Sequence, residues 1–225
     1  MGRSIMSNLS NFATFLILTV GALFSFFIFW ELLKDDYEDA RIFPLGLLIA
    51  LGGILGFSLM GWIFGRDHLL GALFLVFLFA LFRSKRLAMR PVEVFEAVVP
   101  SLFVFLFFFS LNILRSAGKF YWYSFTEPLL LVGVLCFFWM LRKYYRSFLW
   151  YPSGKVGFAS LVAVILYLAI RAAIALLFPH MLFLMSRGVT IATGVSLALV
   201  CSIVVYFQSG RIEGDTSRIR RVFAR

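Results

Sequence analysis

Seven stretches of the chain, about 12–30, 43–64, 68–82, 94–114, 124–141, 157–178 and 189–207, run almost without a charged residue. Crossing the hydrocarbon of a bilayer takes about 20 such residues in a helix. Lipid offers the backbone no hydrogen bonds, so only helices or closed barrels span it. The period-two alternation of barrel strands is absent, and each segment is therefore expected to be helical. Of the 225 residues, 62% are hydrophobic and 29 are Phe, whereas a soluble domain is about 45–50% apolar. The fold class expected is an all-α integral membrane protein. It is a seven-transmembrane-helix bundle forming a single domain over 1–225, with no internal repeat and no separate soluble domain. The leader-like start, MGRSIMSNLSNF, runs into a full-length apolar segment with no small-residue cleavage site, so it reads as a retained first helix. The third segment is short and is expected to tilt little or to begin inside a re-entrant loop.

Orientation follows from the basic residues at the segment ends. One set of ends holds Arg3, Arg66, Arg115, Lys119 and Arg187. The other holds fifteen, among them Lys34, Arg41, Arg83, Arg90, Arg142, Lys143, Lys155 and the basic residues of the tail SGRIEGDTSRIRRVFAR. Fifteen against five places the N-terminus outside and the C-terminus in the cytoplasm, as a multi-pass protein of the cell inner (plasma) membrane. The net charge of +10 then reports cytoplasmic ends facing anionic membrane lipids, and no nucleic-acid partner is expected. The aromatic clusters FYWY (120–123) and WY (150–151) would mark the two interfaces.

One charge breaks the sixth segment. LYLAIRAAIALLF carries Arg171, the only charged residue between Lys155 and His180. At 1.5 Å per residue it lies about 10 Å below the outer end of its helix, with Tyr167 one turn earlier on the same face. The same orientation puts other polar residues at the outer ends of other helices: Ser58, Asp67 and His68, Ser110 and Asn112, then Ser124, Thr126 and Glu127. The inner half has Glu96 and little else. Each has a plain structural explanation. Arg171 and Glu127 would lock two helices together; Ser58 and Ser110 would bond their own backbones. His68 would be a solvated residue at a helix mouth, and Glu127-Pro128 would be an ordinary first turn. The glycines at 46, 52, 53, 56 and 61 would permit close packing, and FVFLFFFSLN would face lipid or pack. Convergence points further, because an Arg, a His, a Glu and a Tyr at one depth suit an anionic head group. Cys136 and Cys201 sit in apolar segments and are expected to be small buried hydrophobes. No cofactor and no metal site are expected.

Several segments resemble a known family. DYEDARIFPLGLLIALGGILG, DHLLGALFLVF, RPVEVFEAVVPSL, FTEPLLLVGVLCFFWMLRK and GKVGFASLVAVILYLAIRAAI are similar, in order and spacing, to the first loop and helices two to six of the prolipoprotein diacylglyceryl transferases (Lgt). These are seven-helix bacterial membrane enzymes that move diacylglyceryl from phosphatidylglycerol to the cysteine of a lipoprotein signal peptide. The resemblance places His68, Glu127, Tyr167 and Arg171 on the family's functional His, Glu, Tyr and Arg. It also has departures. Ser110 stands where the family has an essential Arg, and Asn112 reaches the family's Asn only across a one-residue gap. Gly56-Phe57-Ser58 replaces Gly-Gly-Arg, Leu69-Leu70 replaces a glycine pair, and Ala175 replaces an acid.

The resemblance implies a transferase acting on phosphatidylglycerol and a prolipoprotein signal peptide. His68 would take the thiol proton. Arg171 would receive the departing phosphate on its planar fork, and Tyr167 would orient it. Glu127, Asn112, Ser110, Ser58 and Arg115 would bind substrate, with Arg115 as the substitute for the missing arginines. Two other classes stand beside it: a catalytically inactive relative that binds lipid or lipoprotein precursor, and a small membrane transporter using the Arg171–Glu127 pair.

Overall fold

The computed structural model describes residues 2–64, 68–116, 125–145, 156–178 and 187–209. These residues contain seven helices and no strand: α1 (Gly2–Leu33), α2 (Asp39–Phe64), α3 (His68–Arg86), α4 (Pro91–Ser116), α5 (Thr126–Tyr144), α6 (Phe158–Leu177) and α7 (Arg187–Gln208). Each helix falls on one of the seven apolar stretches; α1, α2, α3, α4 and α7 cover theirs and extend past it at one or both ends, α5 begins at Thr126 and runs on to Tyr144, and α6 lies within its stretch. Five of the helices are long and apolar enough to cross a membrane, within α1, α2, α4, α6 and α7. The ends of α3 and α5 carry charge: Arg83, Lys85 and Arg86 on α3; Glu127, Arg142 and Lys143 on α5. The third helix reaches Arg86, further than its apolar run. FYWY, WY, Asp67, Ser124 and the tail after 209 lie outside the described residues.

The fourth helix is the hub. Half of its apolar window is buried, against 11% for α1 and 17% for α7, and it packs on α1, α3, α5 and α6. Its phenylalanine run therefore packs: Phe103 and Leu106 are buried, and Phe105, Phe107, Phe108 and Phe109 are half-buried. On α1, Ser25 Oγ donates to the carbonyl of Ser101 at 2.7 Å and Phe24 stacks on Phe108 at 5.9 Å. These pairs make α1 and α4 antiparallel. The same reading gives α6 parallel to α4: Ser160 Oγ donates to the Glu96 carbonyl at 3.1 Å, and Phe103 meets Tyr167 at 5.1 Å between ring centroids. The helix α5 runs against both, with Tyr145 on Phe158 at one end and Glu127 on Tyr167 at the other.

Pro100 explains one of these ties. A proline has no N–H, so the carbonyl four residues earlier loses its helical donor. That carbonyl belongs to Glu96, and Ser160 of α6 supplies the replacement. Small residues set other approaches. A Cβ on Gly46 would fall 2.5 Å from Phe26 Cε2, and one on Gly52 would collide with the Phe79 ring, so α2 sits close to both α1 and α3. Of the cysteines, Cys136 is exposed, because the buried face of α5 is the one bearing Leu131, Val134 and Phe138, whereas Cys201 on α7 is half-buried and packs against the core.

Candidate functional site

The first turn of α5 begins at Thr126 and carries Glu127 and Pro128, both buried. Proline fits an early helical position because the donor it lacks has no acceptor there. Glu127 points at α6, where Tyr167 and Arg171 stand one turn apart on a buried face. The Tyr167 hydroxyl donates to Glu127 Oε1 at 2.6 Å. Arg171 Nη1 donates to the Tyr167 oxygen at 2.8 Å and lies 3.4 Å from Glu127 Oε1. The phenol thus sits between carboxylate and guanidinium, donating to the first and accepting from the second. Arg171 is 5% exposed and Glu127 7%, so water does little to weaken their attraction.

This pairing uses only part of the guanidinium. Arg171 Nε and Nη2 are buried and have no hydrogen-bond partner among the described residues. Those two nitrogens share one edge of the group, and their N–H bonds run nearly parallel. Such an edge matches two oxygens of a phosphate or carboxylate. Buried donors are nearly always satisfied, so an orphaned pair on a charged group is unusual. The chemistry on offer is the holding of an oxyanion by a positioned, charge-compensated arginine.

The other sequence-derived residues fall in different places. Ser110 is buried, but its hydroxyl donates to the Phe107 carbonyl of its own helix at 2.8 Å. From the α4–α6 register, Ser110 lies about one turn beyond Arg171 along the bundle. Asn112 is buried near the end of α4, where Arg115 Nη2 approaches its Oδ1 at 3.5 Å and donates to Thr14 of α1 at 2.5 Å. Arg115 is thereby engaged with α1, not with the Arg171 group. Ser58 is exposed on α2, a helix that packs chiefly on α3. His68 opens α3; the placement of its side chain lies outside the described residues. Glu127, Tyr167 and Arg171 are thus brought together. Arg115 and Asn112 form a neighbouring pair, and Ser58 and Ser110 join neither.

A second polar cluster lies at the end where α4 begins. Glu96 Oε2 accepts from the Gly157 N–H at 2.6 Å, and Glu96 Oε1 lies 3.9 Å from Arg142 Nε of α5. Glu93 accepts from the Tyr37 hydroxyl and pairs with Arg90 at 3.1 Å. Tyr37 in turn accepts from the Arg90 N–H at 3.0 Å. Burial first, and then the bond to Glu93, raise the Tyr37 pKa above its ordinary value. Gly157 adopts a left-handed conformation, φ 97°, which suits glycine alone among common residues. A Cβ there would also stand 2.7 Å from Val92 Cγ1. Reading the sequence by depth found Glu96 but missed this network. Its signal was present as acids at 93 and 96 and bases at 142 and 143, opposite in sign and at the same end of neighbouring helices.

Among the described residues no group of three or more His, Cys, Asp or Glu side chains is placed to hold a metal ion. No protein-family model matches the chain, and neither curated proteins nor solved structures give a match.

Proposed function

We propose that the protein binds the phosphate of a membrane phospholipid on Arg171 and acts as a diacylglyceryl transferase, moving diacylglyceryl from phosphatidylglycerol to a lipoprotein signal-peptide cysteine. It would do so as a seven-span protein of the inner (plasma) membrane, with its N-terminus outside and its C-terminus in the cytoplasm. One observation carries the reading: a guanidinium buried in an apolar helix, aimed by Tyr167 and Glu127, with its Nε–Nη2 edge without a partner among the described residues. The resemblance to the prolipoprotein diacylglyceryl transferases supplies the reaction.

In that reaction the cysteine thiolate attacks the glyceryl carbon next to the phosphate. A C–S bond forms, the C–O bond breaks, and glycerol phosphate leaves with the electron pair. His68 takes the thiol proton. Arg171 meets the charge that grows on the phosphate, a kind of stabilisation worth roughly 10²–10³ in rate for a single donor. Tyr167 and Glu127 hold the guanidinium in place, so its free edge need not reorganise when charge develops.

A second reading is favoured by Ser110, whose hydroxyl is spent on its own backbone where the family has an arginine. On that reading the protein binds lipid or lipoprotein precursor without turnover. The test uses full-length protein in nanodiscs containing phosphatidylglycerol labelled in its diacylglyceryl part, with a lipobox peptide. Label on the peptide cysteine, abolished by His68→Ala, supports the transferase. Retained phosphatidylglycerol, weakened by Arg171→Lys but never transferred, supports the binding protein. Folded protein that neither binds nor transfers overturns both, and leaves Arg171 as a helix lock or a transport residue.

A further inference from the structure

A cavity of about 440 Å³ opens at the end of the bundle where α4 begins, far along the helices from Arg171. Four elements wall it: the turn after α1, the first turns of α4, the last turn of α5 and the entry to α6. Six charged side chains line it, with Arg90, Arg142 and Lys143 opposing Asp36, Glu93 and Glu96. The two signs are not placed alike. The Glu93 and Glu96 side chains are recessed, 16% and 8% exposed, whereas Arg90 and Arg142 are 83% and 37% exposed.

The recessed carboxylates are also already supplied with donors. Glu93 receives the Tyr37 hydroxyl and Arg90; Glu96 receives the Gly157 N–H and faces Arg142. Asp36, on the turn after α1, is exposed to solvent. Lys143 has no carboxylate within ion-pair distance among the described residues, and Arg142 keeps a guanidinium only loosely held at 3.9 Å and laid over Trp139 at 5.7 Å. A solute arriving at the mouth meets three cations, Arg90, Arg142 and Lys143, against the single exposed carboxylate of Asp36. Behind them stand carboxylates able to accept from a hydroxyl or an ammonium.

We infer that this cavity binds a phosphate-bearing group, with Arg142 and Lys143 on the phosphate and the recessed Glu96 side receiving a donor carried beside it. The chemistry is that of a phospholipid headgroup or of a small soluble phosphate such as glycerol phosphate. The site is separate from Arg171, so it stands or falls independently of the proposed reaction.

The test compares the full chain with Arg142→Gln/Lys143→Gln, using two probes. The first is the number of phosphatidylglycerol molecules kept by protein taken from mixed phosphatidylglycerol–phosphatidylcholine vesicles into native mass spectrometry. The second is the shift in unfolding temperature as glycerol 3-phosphate is added. The double variant is expected to keep one lipid fewer, or to bind glycerol 3-phosphate about tenfold or more weakly, as losing a charge-assisted hydrogen bond implies. The first result names a lipid headgroup as the ligand and the second a soluble phosphate. On an Arg171→Gln background, which removes the lipid proposed at Arg171, the double variant is expected to lose the same one further lipid or the same glycerol 3-phosphate affinity. Arg142→Lys/Lys143→Arg keeps the charge and is expected to keep binding. Lys143→Gln alone is the fallback should the double variant fail to fold. A wild-type chain that binds neither probe overturns the inference, as does a folded double variant with unchanged lipid number and unchanged glycerol phosphate affinity.

Discussion

The two ends of the bundle use the same chemical vocabulary to opposite effect. At each, a tyrosine hydroxyl stands beside a glutamate and an arginine: Tyr167, Glu127 and Arg171 at one end; Tyr37, Glu93 and Arg90 at the other. At the first, all three are nearly inaccessible, and the arginine reaches its partners from inside an apolar helix. At the second, the arginine is 83% exposed and water shares its charge. Burial therefore separates a group whose interactions are strong, few and incomplete from one whose interactions are many and individually weak. An unmatched donor edge at Arg90 would be met by water. At Arg171, where no partner is found among the described residues, the proposed occupant is a phosphate.

The contrast is broken most directly at Glu127. Glu127→Ala is expected to cost about 3–5 kcal/mol, because it strands a buried cation. Glu127→Leu/Arg171→Met is expected to recover most of that loss, since replacing both members of a buried pair by apolar residues is often neutral. Unfolding of the purified protein in detergent, read by circular dichroism, gives both values. A double variant that folds well yet no longer retains phosphatidylglycerol would assign the pair to binding over stability. Equal losses in the single and double variants would remove the ion pair from the account.

Gly157→Ala should come next, at about 2 kcal/mol. It places a Cβ in a left-handed backbone, which costs about 1–2 kcal/mol, and drives it into Val92. The same unfolding measurement checks it. A variant as stable as wild type would mean that the entry to α6 does not hold the conformation described.

Tyr37→Phe is expected to cost about 1–2 kcal/mol at neutral pH, since it leaves a carboxylate oxygen and a backbone N–H without their partner. The pH dependence sharpens this. The folded state raises the Tyr37 pKa, so its contribution is fully present below the ordinary tyrosine value of about 10. It is lost as pH rises through the folded value. The gap between wild type and Tyr37→Phe should therefore be constant from pH 7 to 9 and close above about pH 10. A gap that widens with alkali would reverse the assignment. Smallest of all, Arg90→Ala should change stability by about 0–1 kcal/mol. A loss comparable to that of Glu127→Ala would erase the distinction between the two ends.

Much of the helical frame was legible because lipid leaves the backbone so little choice. A long apolar run must be helical, and its length and spacing locate it. The meeting of Tyr167 and Arg171 follows from four-residue spacing on one helix. Glu127 could be placed at their depth because α5 starts from the end at which α6 finishes. Depth alone does not fix rotation, and there the reading went astray. Ser58 has the expected depth but faces outward on α2, and Arg115 has it but turns to Thr14 on α1. Cys136 looked buried by composition, yet it lies on the outer face of α5. In lipid, an apolar residue can point either way at little cost, so hydropathy does not distinguish the face toward α4 from the face toward the bilayer. The Glu93–Tyr37 contact was hidden for another reason: it joins a turn to a helix 56 residues away, a separation no local pattern records.

The packing of α1 has a consequence for biogenesis. Its chief neighbour is α4, not the adjacent α2, and its link to α4 includes the Ser25–Ser101 bond. During synthesis α1 enters the bilayer long before α4 leaves the ribosome. Until then it has only its limited contact with α2, around Gly46 and Phe26, and its largely apolar surface permits the wait. Meanwhile α2 and α3, which pack closely on each other, can close into a hairpin. The first lasting association in the growing chain is then expected between α2 and α3, and α1 docks only once α4 arrives. Split between α3 and α4, the protein should assemble from two co-expressed pieces, with Ser25 and the Phe24–Phe108 stack at the seam.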